Sequence, residues 1–263
     1  MRIAGSTALV TGASGGLGQA IARALAAAGA NLVLSGRRAD VLNGLARELG
    51  ATVAPADLSD RASVRALGAD HADVDILIAN AGLPASGRLV SFTEDQIDRA
   101  LTVNLRAPMM LAHALVPAMV ARGSGHIVFM SSLAGKAPAP CTSIYSATKF
   151  GLRGFAGALR AELHGSGVGV STIFPGFIRD AGMFEDAGVT LPRGTGTKSP
   201  EQVAQATLRA IERNRGEIDV APLPLKLGAT ISGIAPELAA TITRKAGGDA
   251  IAAQFEAGQL DKR

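Results

Sequence analysis

Of the 263 residues one is a cysteine, Cys141, one is a tyrosine, and none is a tryptophan. A lone thiol cannot form an internal disulfide, which excludes a cross-linked scaffold and fits a reducing, cytoplasmic compartment. No neighbour in sequence would activate Cys141. Aromatics make up 3% of the chain against 48% hydrophobic residues, so the core must be packed with Ala, Leu, Val and Ile. Charged residues are 18% and the net charge is +4, with basic residues scattered and the longest runs pairs such as Arg37-Arg38. Nucleic-acid binding calls for a basic stripe with interleaved aromatics, so no nucleic-acid partner is expected. The modest positive balance suits an anionic small ligand. No uninterrupted run of about 18 apolar residues marks a transmembrane helix, and the apolar run from Ile3 to Val10 is too short for a signal peptide. His71, His113, His126 and His164 stand apart, without metal-ligand spacing, and no metal is expected.

What is present is an alternation of short apolar runs and Ala/Leu-rich helical stretches. Strands are predicted at Thr7–Val10, Asn31–Leu34, Thr52–Ala54, Ile76–Ala79, Ile127–Met130, Val170–Phe174 and Ile218–Ala221. Helices are predicted at Leu17–Ala28 with Gly29 as its stop, at Asp40–Leu49 ended by Gly50, at Asp60–Ala69 and at Tyr145–His164. Thr93 with Gln96 forms a capping box that opens a long helix, which Pro108 and Pro117 should kink or split. Ser199-Pro200-Glu201-Gln202 is a further helix start. Apolar strands separated by helices imply an α/β fold, a Rossmann-type doubly wound parallel sheet covered on both faces. The chain reads as one domain over 1–221, with a loop-like lid at about 177–198 and a helical C-terminal extension at 222–263.

Thr11-Gly12-Ala13-Ser14-Gly15-Gly16-Leu17-Gly18 joins the first strand to the first helix. In a doubly wound sheet this is where a dinucleotide pyrophosphate sits, against glycine backbone and free helix N–H groups. The second strand ends in Ser35-Gly36-Arg37-Arg38, with no carboxylate to accept from a free ribose 2′-hydroxyl. Arg37 can pair with a 2′-phosphate, which favours NADP over NAD, and Arg38 is the less suited to face it. The other reading of both arginines is a solvated surface. Asp57-Leu58 and Asn80-Ala81-Gly82 follow the third and fourth strands. Asp57 suits either an adenine amino group or a turn, and small residues at 81–82 let backbone run close to a ligand.

Tyr145 and Lys149 lie four residues apart in a helical segment and share a face. A phenol has a pKa of roughly 10 and is a poor acid or base near neutrality; a nearby ammonium is expected to lower it. Ser131-Ser132 closes the preceding strand.

Over roughly Ile3 to Ala221 these motifs, with Asn104 and Pro175-Gly176 in the same order, resemble those of the classical short-chain dehydrogenase/reductase (SDR) family. The resemblance implies catalytic roles for Asn104, Ser132, Tyr145 and Lys149. Tyr145 would be the general acid or base. Lys149 would hold the nicotinamide ribose and lower the Tyr145 pKa. Ser132, thirteen residues before the tyrosine, would bond the substrate oxygen, and Asn104 would help anchor a water on the proton path. It implies cofactor contacts at Gly12, Ser14, Gly15, Gly16, Leu17 and Gly18, at Arg37, Asp57 and Leu58, and at Asn80, Ala81 and Gly82. Tyr145, Lys149, Pro175, Gly176 and Ile178 complete that set. The expected activity is interconversion of a ketone or aldehyde and an alcohol with NADP(H), NAD being the alternative. A non-catalytic regulatory protein on the same fold is the rival from another class. The family is usually dimeric or tetrameric.

Three departures from the family pattern stand out. Asp180 occupies the place of a threonine that binds the nicotinamide carboxamide, so its role is open between cofactor, lid and substrate. Gly15 stands where many NADP-preferring members carry a basic residue. The last strand leads into Pro222-Leu223-Pro224 and an apolar tail. The substrate pocket is expected to be walled by the segments Leu83 to Arg88, Leu133 to Ile144 and Phe177 to Lys198, whose mostly apolar or small residues, among them Leu133, Pro138, Pro140, Ile144, Phe177, Met183 and Phe184, suggest a hydrophobic substrate. Arg179 and Arg193 are able to reach an acidic group. The tail Leu225–Ala246 reads as helical, with Leu238 and Ile242 on one face. It fits a subunit contact, a cover for the pocket mouth or, given its thin basic charge least well, a membrane-surface helix.

Overall fold

A computed structural model describes residues 1–192, 194–245 and 247–259. Seven strands form one parallel sheet: β1 (Thr7–Thr11), β2 (Asn31–Gly36), β3 (Thr52–Pro55), β4 (Ile76–Ala79), β5 (Gly125–Met130), β6 (Val168–Pro175) and β7 (Glu217–Val220). Their order is β3-β2-β1-β4-β5-β6-β7. The order reverses between β1 and β4, and a crevice opens there beyond the C-terminal strand ends. The pleat sends alternate residues to opposite faces. Val10, Ile78 and Val128 join the layer beneath α1 (Gly16–Ala27), α2 (Ala39–Leu49) and, after the lid, α8 (Pro200–Glu212). Leu9, Leu77 and Phe129 face α3 (Arg61–Asp70), α5 (Ala107–Arg122) and α6 (Ser143–Glu162). Both layers are closed largely by aliphatic side chains, as the scarcity of aromatics requires.

The punctuation behaves as expected where it is local. Gly50 ends α2 in the left-handed conformation at φ 64°. The Thr93–Gln96 box caps α4 (Glu94–Leu101), and the Ser199–Gln202 box caps α8. Pro108 lies in the first turn of α5, but Pro117 lies inside that helix without ending it. The split falls instead at a π-helical turn, Thr102–Arg106, which carries Asn104. Together these segments make a 29-residue helical run, Glu94–Arg122, apolar enough to cross a membrane by length and composition. It packs on α3, β5 and β6, as a core helix does.

The segment read as a loop contains a short helix, α7 (Met183–Ala187). Its two ends are tied by a parallel bridge between Ile178 and Lys198, with Arg179 N–H donating to the Lys198 carbonyl at 3.0 Å. Past β7 the chain forms α9 (Leu223–Ile234), α10 (Pro236–Lys245) and α11 (Gly248–Gln259), a third helix the apolar pattern does not reveal. Leu227, Ile231, Ile234, Leu238 and Ile242 stay exposed along α9 and α10, so the outward face of this pair is not buried against the described residues of the chain. Arg193 and Ala246 lie outside the described residues, as do residues 260–263.

His126 in β5 is 1% exposed, and its Nε2 lies 2.8 Å from the Ser171 hydroxyl of β6. Desolvation pushes its pKa down to about 3, so the folded protein holds it neutral. An unfolded histidine titrates near pH 6.5. Below that pH the unfolded chain gains a proton that the fold refuses, and stability falls by up to about 1.4 kcal/mol per pH unit until the folded value is reached. Denaturant titrations between about pH 7 and pH 5 are expected to show this loss, with a shallower slope in His126→Gln. Equal slopes would show that His126 does not control it.

Candidate active site

A cleft of about 780 Å³ lies over the C-terminal ends of the strands. Its floor begins at the loop between β1 and α1. Gly12 has φ +66°, and a Cβ there would lie 2.8 Å from the Ala81 Cα. A Cβ on Gly18 would sit 2.2 Å from the Gly12 carbonyl oxygen, and one on Gly16 would sit 2.5 Å from the Ala181 Cβ. Gly12 and Gly18 thus admit backbone, and Gly16 the Ala181 methyl, where no further side chain fits. Gly15 is different, since a Cβ there would meet only the Gly12 carbonyl at 3.5 Å. The loop is buttressed from β4: Thr11 Oγ1 accepts from Asn80 N–H at 3.1 Å and Ala81 N–H at 3.2 Å, and the Asn80 amide donates to the Thr11 carbonyl at 3.0 Å. The N-terminus of α1 opens onto this cradle, without a side-chain cap at Gly15. Its geometry fits a pyrophosphate held by backbone N–H groups and the positive end of a helix.

At one end of the cleft Arg37 and Arg38 both border the space. The Arg38 guanidinium donates to the Ser14 carbonyl and so folds over the glycine loop. Arg37 lines the cleft as an exposed side chain. Asp57 is exposed and accepts from Ser59 N–H at 2.9 Å and its hydroxyl at 2.7 Å. Those bonds hold its pKa below the usual range, with a smaller contribution from the Arg37 and Arg99 charges. Asp57 is therefore a turn residue and a cleft residue at once. Leu58, Arg99 and Val103 line the same cleft.

At the other end α6 presents Tyr145 and Lys149, and the end of β5 presents Ser132. The Tyr145 phenol is buried close to the Ser132 side chain, whose Oγ donates to the Pro175 carbonyl at 3.5 Å. Ser132 Oγ also accepts from Ala134 N–H at 3.2 Å, which fixes the serine at the start of a 3-10 turn. Lys149 is 3% exposed and donates from Nζ to the Met130 carbonyl at 2.9 Å. Its Nζ lies 5.6 Å from the Tyr145 ring centroid. Burial lowers Lys149 to about 8 and raises Tyr145 to about 12, the nearby Ser132 side chain opposing that rise. The expected fall in the phenol's pKa is thus not what the side chains produce. The ammonium faces a carbonyl and the ring, and desolvation sets the direction of the shift.

Asn104 does not line the cleft. It is 1% exposed, and its side chain clasps the Leu83 backbone, accepting from N–H at 2.7 Å and donating to the carbonyl at 2.9 Å. It thereby positions the segment after Gly82, and its π-helical turn is an irregularity of the kind common at functional sites. Pro175, Gly176 and Ile178 bring β6 to the cleft. Asp180 has φ +65°, pairs with its neighbour Arg179 at 3.3 Å and does not line the cleft. Of the expected wall segments, Leu83 and Pro84 of the first and Met183 and Phe184 of the third face it. Ile144 packs instead with Ala85 and Ala100, Phe177 stacks on other phenylalanines, and Leu133, Pro138 and Pro140 lie off the cleft wall. Gln259, which no sequence pattern marks, lines it from the C-terminal helix.

A parallel sheet with this strand order, a glycine cradle at its switch point and a Ser-Tyr-Lys group on the facing side define a dinucleotide-dependent oxidoreductase. The short chain dehydrogenase family model matches residues 6–190, and the chain belongs to that family. It is 37% identical over 248 residues to the ketoacyl reductase HetN of Nostoc sp., covering 89% of this chain and 86% of that one. It is also similar to a short-chain dehydrogenase from Sphingobium yanoikuyae solved with NADPH (32% identity, TM-score 0.77, covering 89% and 94% of the two chains). A bulky-bulky ketone specific alcohol dehydrogenase from Comamonas testosteroni gives 29% identity and a TM-score of 0.72, covering 88% and 94%. The protein is therefore an NAD(P)-dependent enzyme acting on CH–OH groups and their carbonyl counterparts.

Proposed function

We propose that the enzyme prefers NADP(H) and interconverts a hydrophobic ketone or aldehyde with its alcohol, Tyr145 transferring the proton. The observation that carries this is one continuous cleft, bordered at one end by Arg37 and Arg38 and at the other by Ser132, Tyr145 and Lys149. Gly12, Ser14, Gly15, Gly16, Leu17 and Gly18 would cradle the pyrophosphate. Asn80, Ala81 and Gly82 would run beside the cofactor, and Pro175, Gly176 and Ile178 would back its nicotinamide end. The bound nicotinamide supplies or accepts the hydride.

The protein's own residues do the rest. Near neutral pH burial keeps the Tyr145 phenol protonated, which is the form that donates to a carbonyl oxygen as it is reduced. Ser132, beside that hydroxyl, would donate to the same substrate oxygen. Lys149 offers a cationic donor for ribose hydroxyls. Leu83, Pro84, Met183 and Phe184 present mostly apolar surface around the reacting carbon, which favours an apolar substrate. Asn104 acts on Leu83 and keeps that wall in place.

Cofactor choice is tested by Arg37→Asp. Trading a guanidinium for a carboxylate removes a charge-assisted pair with a 2′-phosphate and adds repulsion. The expected result is NADPH binding weakened by roughly ten- to a hundredfold, with NADH binding unchanged or improved, measured by fluorescence titration. A wild-type protein that binds NADH more tightly than NADPH would overturn the preference.

A further inference from the structure

The C-terminal helix α11 is wedged between the two sides of the substrate end. On one side Glu256 accepts from the Arg88 N–H at 3.0 Å and from the Ser91 hydroxyl at 3.2 Å. On the other, Gln254 accepts from the Thr190 N–H of the lid at 2.8 Å. Gly258 lies flush on the lid helix α7, where a Cβ would come within 2.3 Å of the Ala187 carbonyl oxygen. Phe255 completes an aromatic cluster with Phe177 and Phe184, centroids 5.2 to 6.2 Å apart. At the end of the helix Gln259 is 2% exposed and borders the cleft beside Met183 and Phe184. Its Nε2 donates to the Met183 carbonyl at 3.3 Å, which fixes the amide plane. Its Oε1 is buried and has no hydrogen-bond partner among the described residues. Buried acceptors are nearly always paired, and each exception asks for a partner that arrives from elsewhere.

We propose that Gln259 is a specificity residue of the substrate pocket, its Oε1 accepting a hydrogen bond from a hydroxyl or amide N–H that the substrate carries away from its reacting carbon. This rests on the carbonyl–alcohol reading of the site and narrows its substrate class. The substrate is an apolar ketone or alcohol with one remote donor, its body against Phe184 and Met183 and its donor under α11. A pocket that offers a fixed acceptor rejects analogues lacking the donor more strongly than a plain apolar pocket can, because the acceptor is then left unpaired.

The test uses the full chain with NADPH and pairs of ketones that differ only in a terminal methyl or hydroxymethyl group. The wild type is expected to favour the hydroxylated member by about tenfold in kcat/KM, the worth of one hydrogen bond. Gln259→Leu and Gln259→Met keep the volume and remove the acceptor, and both should abolish the preference through KM rather than kcat. A preference that survives in both variants overturns the proposal, as does a wild type that never favours the donor-bearing member. Calorimetric binding of the same pairs gives the same discrimination without turnover. If no ketone is reduced by the wild type, the carbonyl–alcohol reading fails while the binding difference between wild type and Gln259→Leu still judges Gln259. Thermal melts of the variants identify any loss that reflects unfolding.

Discussion

Tyr145→Phe is expected to lower kcat by about a hundred- to ten-thousand-fold, the usual worth of a placed acid or base, while cofactor affinity stays close to wild type. The ring would keep its packing against the cluster of Ala85, Ala100 and Ile144, so only the hydroxyl is removed. Stopped-flow reduction with NADPH and a separate cofactor titration separate the two effects. The direction of the pKa shift adds a second readout. Burial holds the phenol near 12, so the proton needed for carbonyl reduction is in place at neutral pH. Alcohol oxidation needs the phenolate and should accelerate as pH rises toward that value. An oxidation rate flat from neutral to alkaline pH, or unchanged turnover in the phenylalanine variant, would remove Tyr145 from the mechanism.

The second large effect is expected inside the glycine cradle and discriminates between neighbours. Gly12→Ala forces a Cβ onto a residue at φ +66° and against the Ala81 backbone at 2.8 Å. Neither surface is a flexible side chain, so the loop must move. The expected costs are about 2 to 4 kcal/mol of stability and a loss of cofactor binding beyond detection in a fluorescence titration. Gly15→Ala has ordinary φ at −82°, its new methyl would meet only the Gly12 carbonyl at 3.5 Å, and it should leave stability nearly unchanged. Equal tolerance at the two positions would mean that the cradle does not depend on close backbone approach.

The parts of this protein that could be read from sequence are those fixed by local chemistry. Strand runs such as Ile76–Ala79, the capping boxes at Thr93 and Ser199 and the stop at Gly50 are set within a few residues, and the structure places them where the pattern does. The Tyr145–Lys149 pair was legible because helical spacing alone puts both on one face. What escaped depends on distant chain. Whether Pro117 breaks a helix is decided by the packing of α5. The direction of the Tyr145 shift is set by burial that no motif encodes. Arg38 turns toward the cleft because the Ser14 carbonyl, 24 residues away, accepts from it. Gln259 reaches the site from the far end of the chain, and Leu133, Pro138, Pro140, Ile144 and Phe177 miss the wall because adjacency in sequence does not say which way a loop turns.

The tie between Ile178 and Lys198 closes the intervening stretch into a module with a common root, so its length and content can change without pulling on the sheet. Its upper surface is keyed to the last helix through Phe255, Gln254 and Gln259. A transplant of either piece into a homologous scaffold would carry over its selectivity only if the other travelled with it.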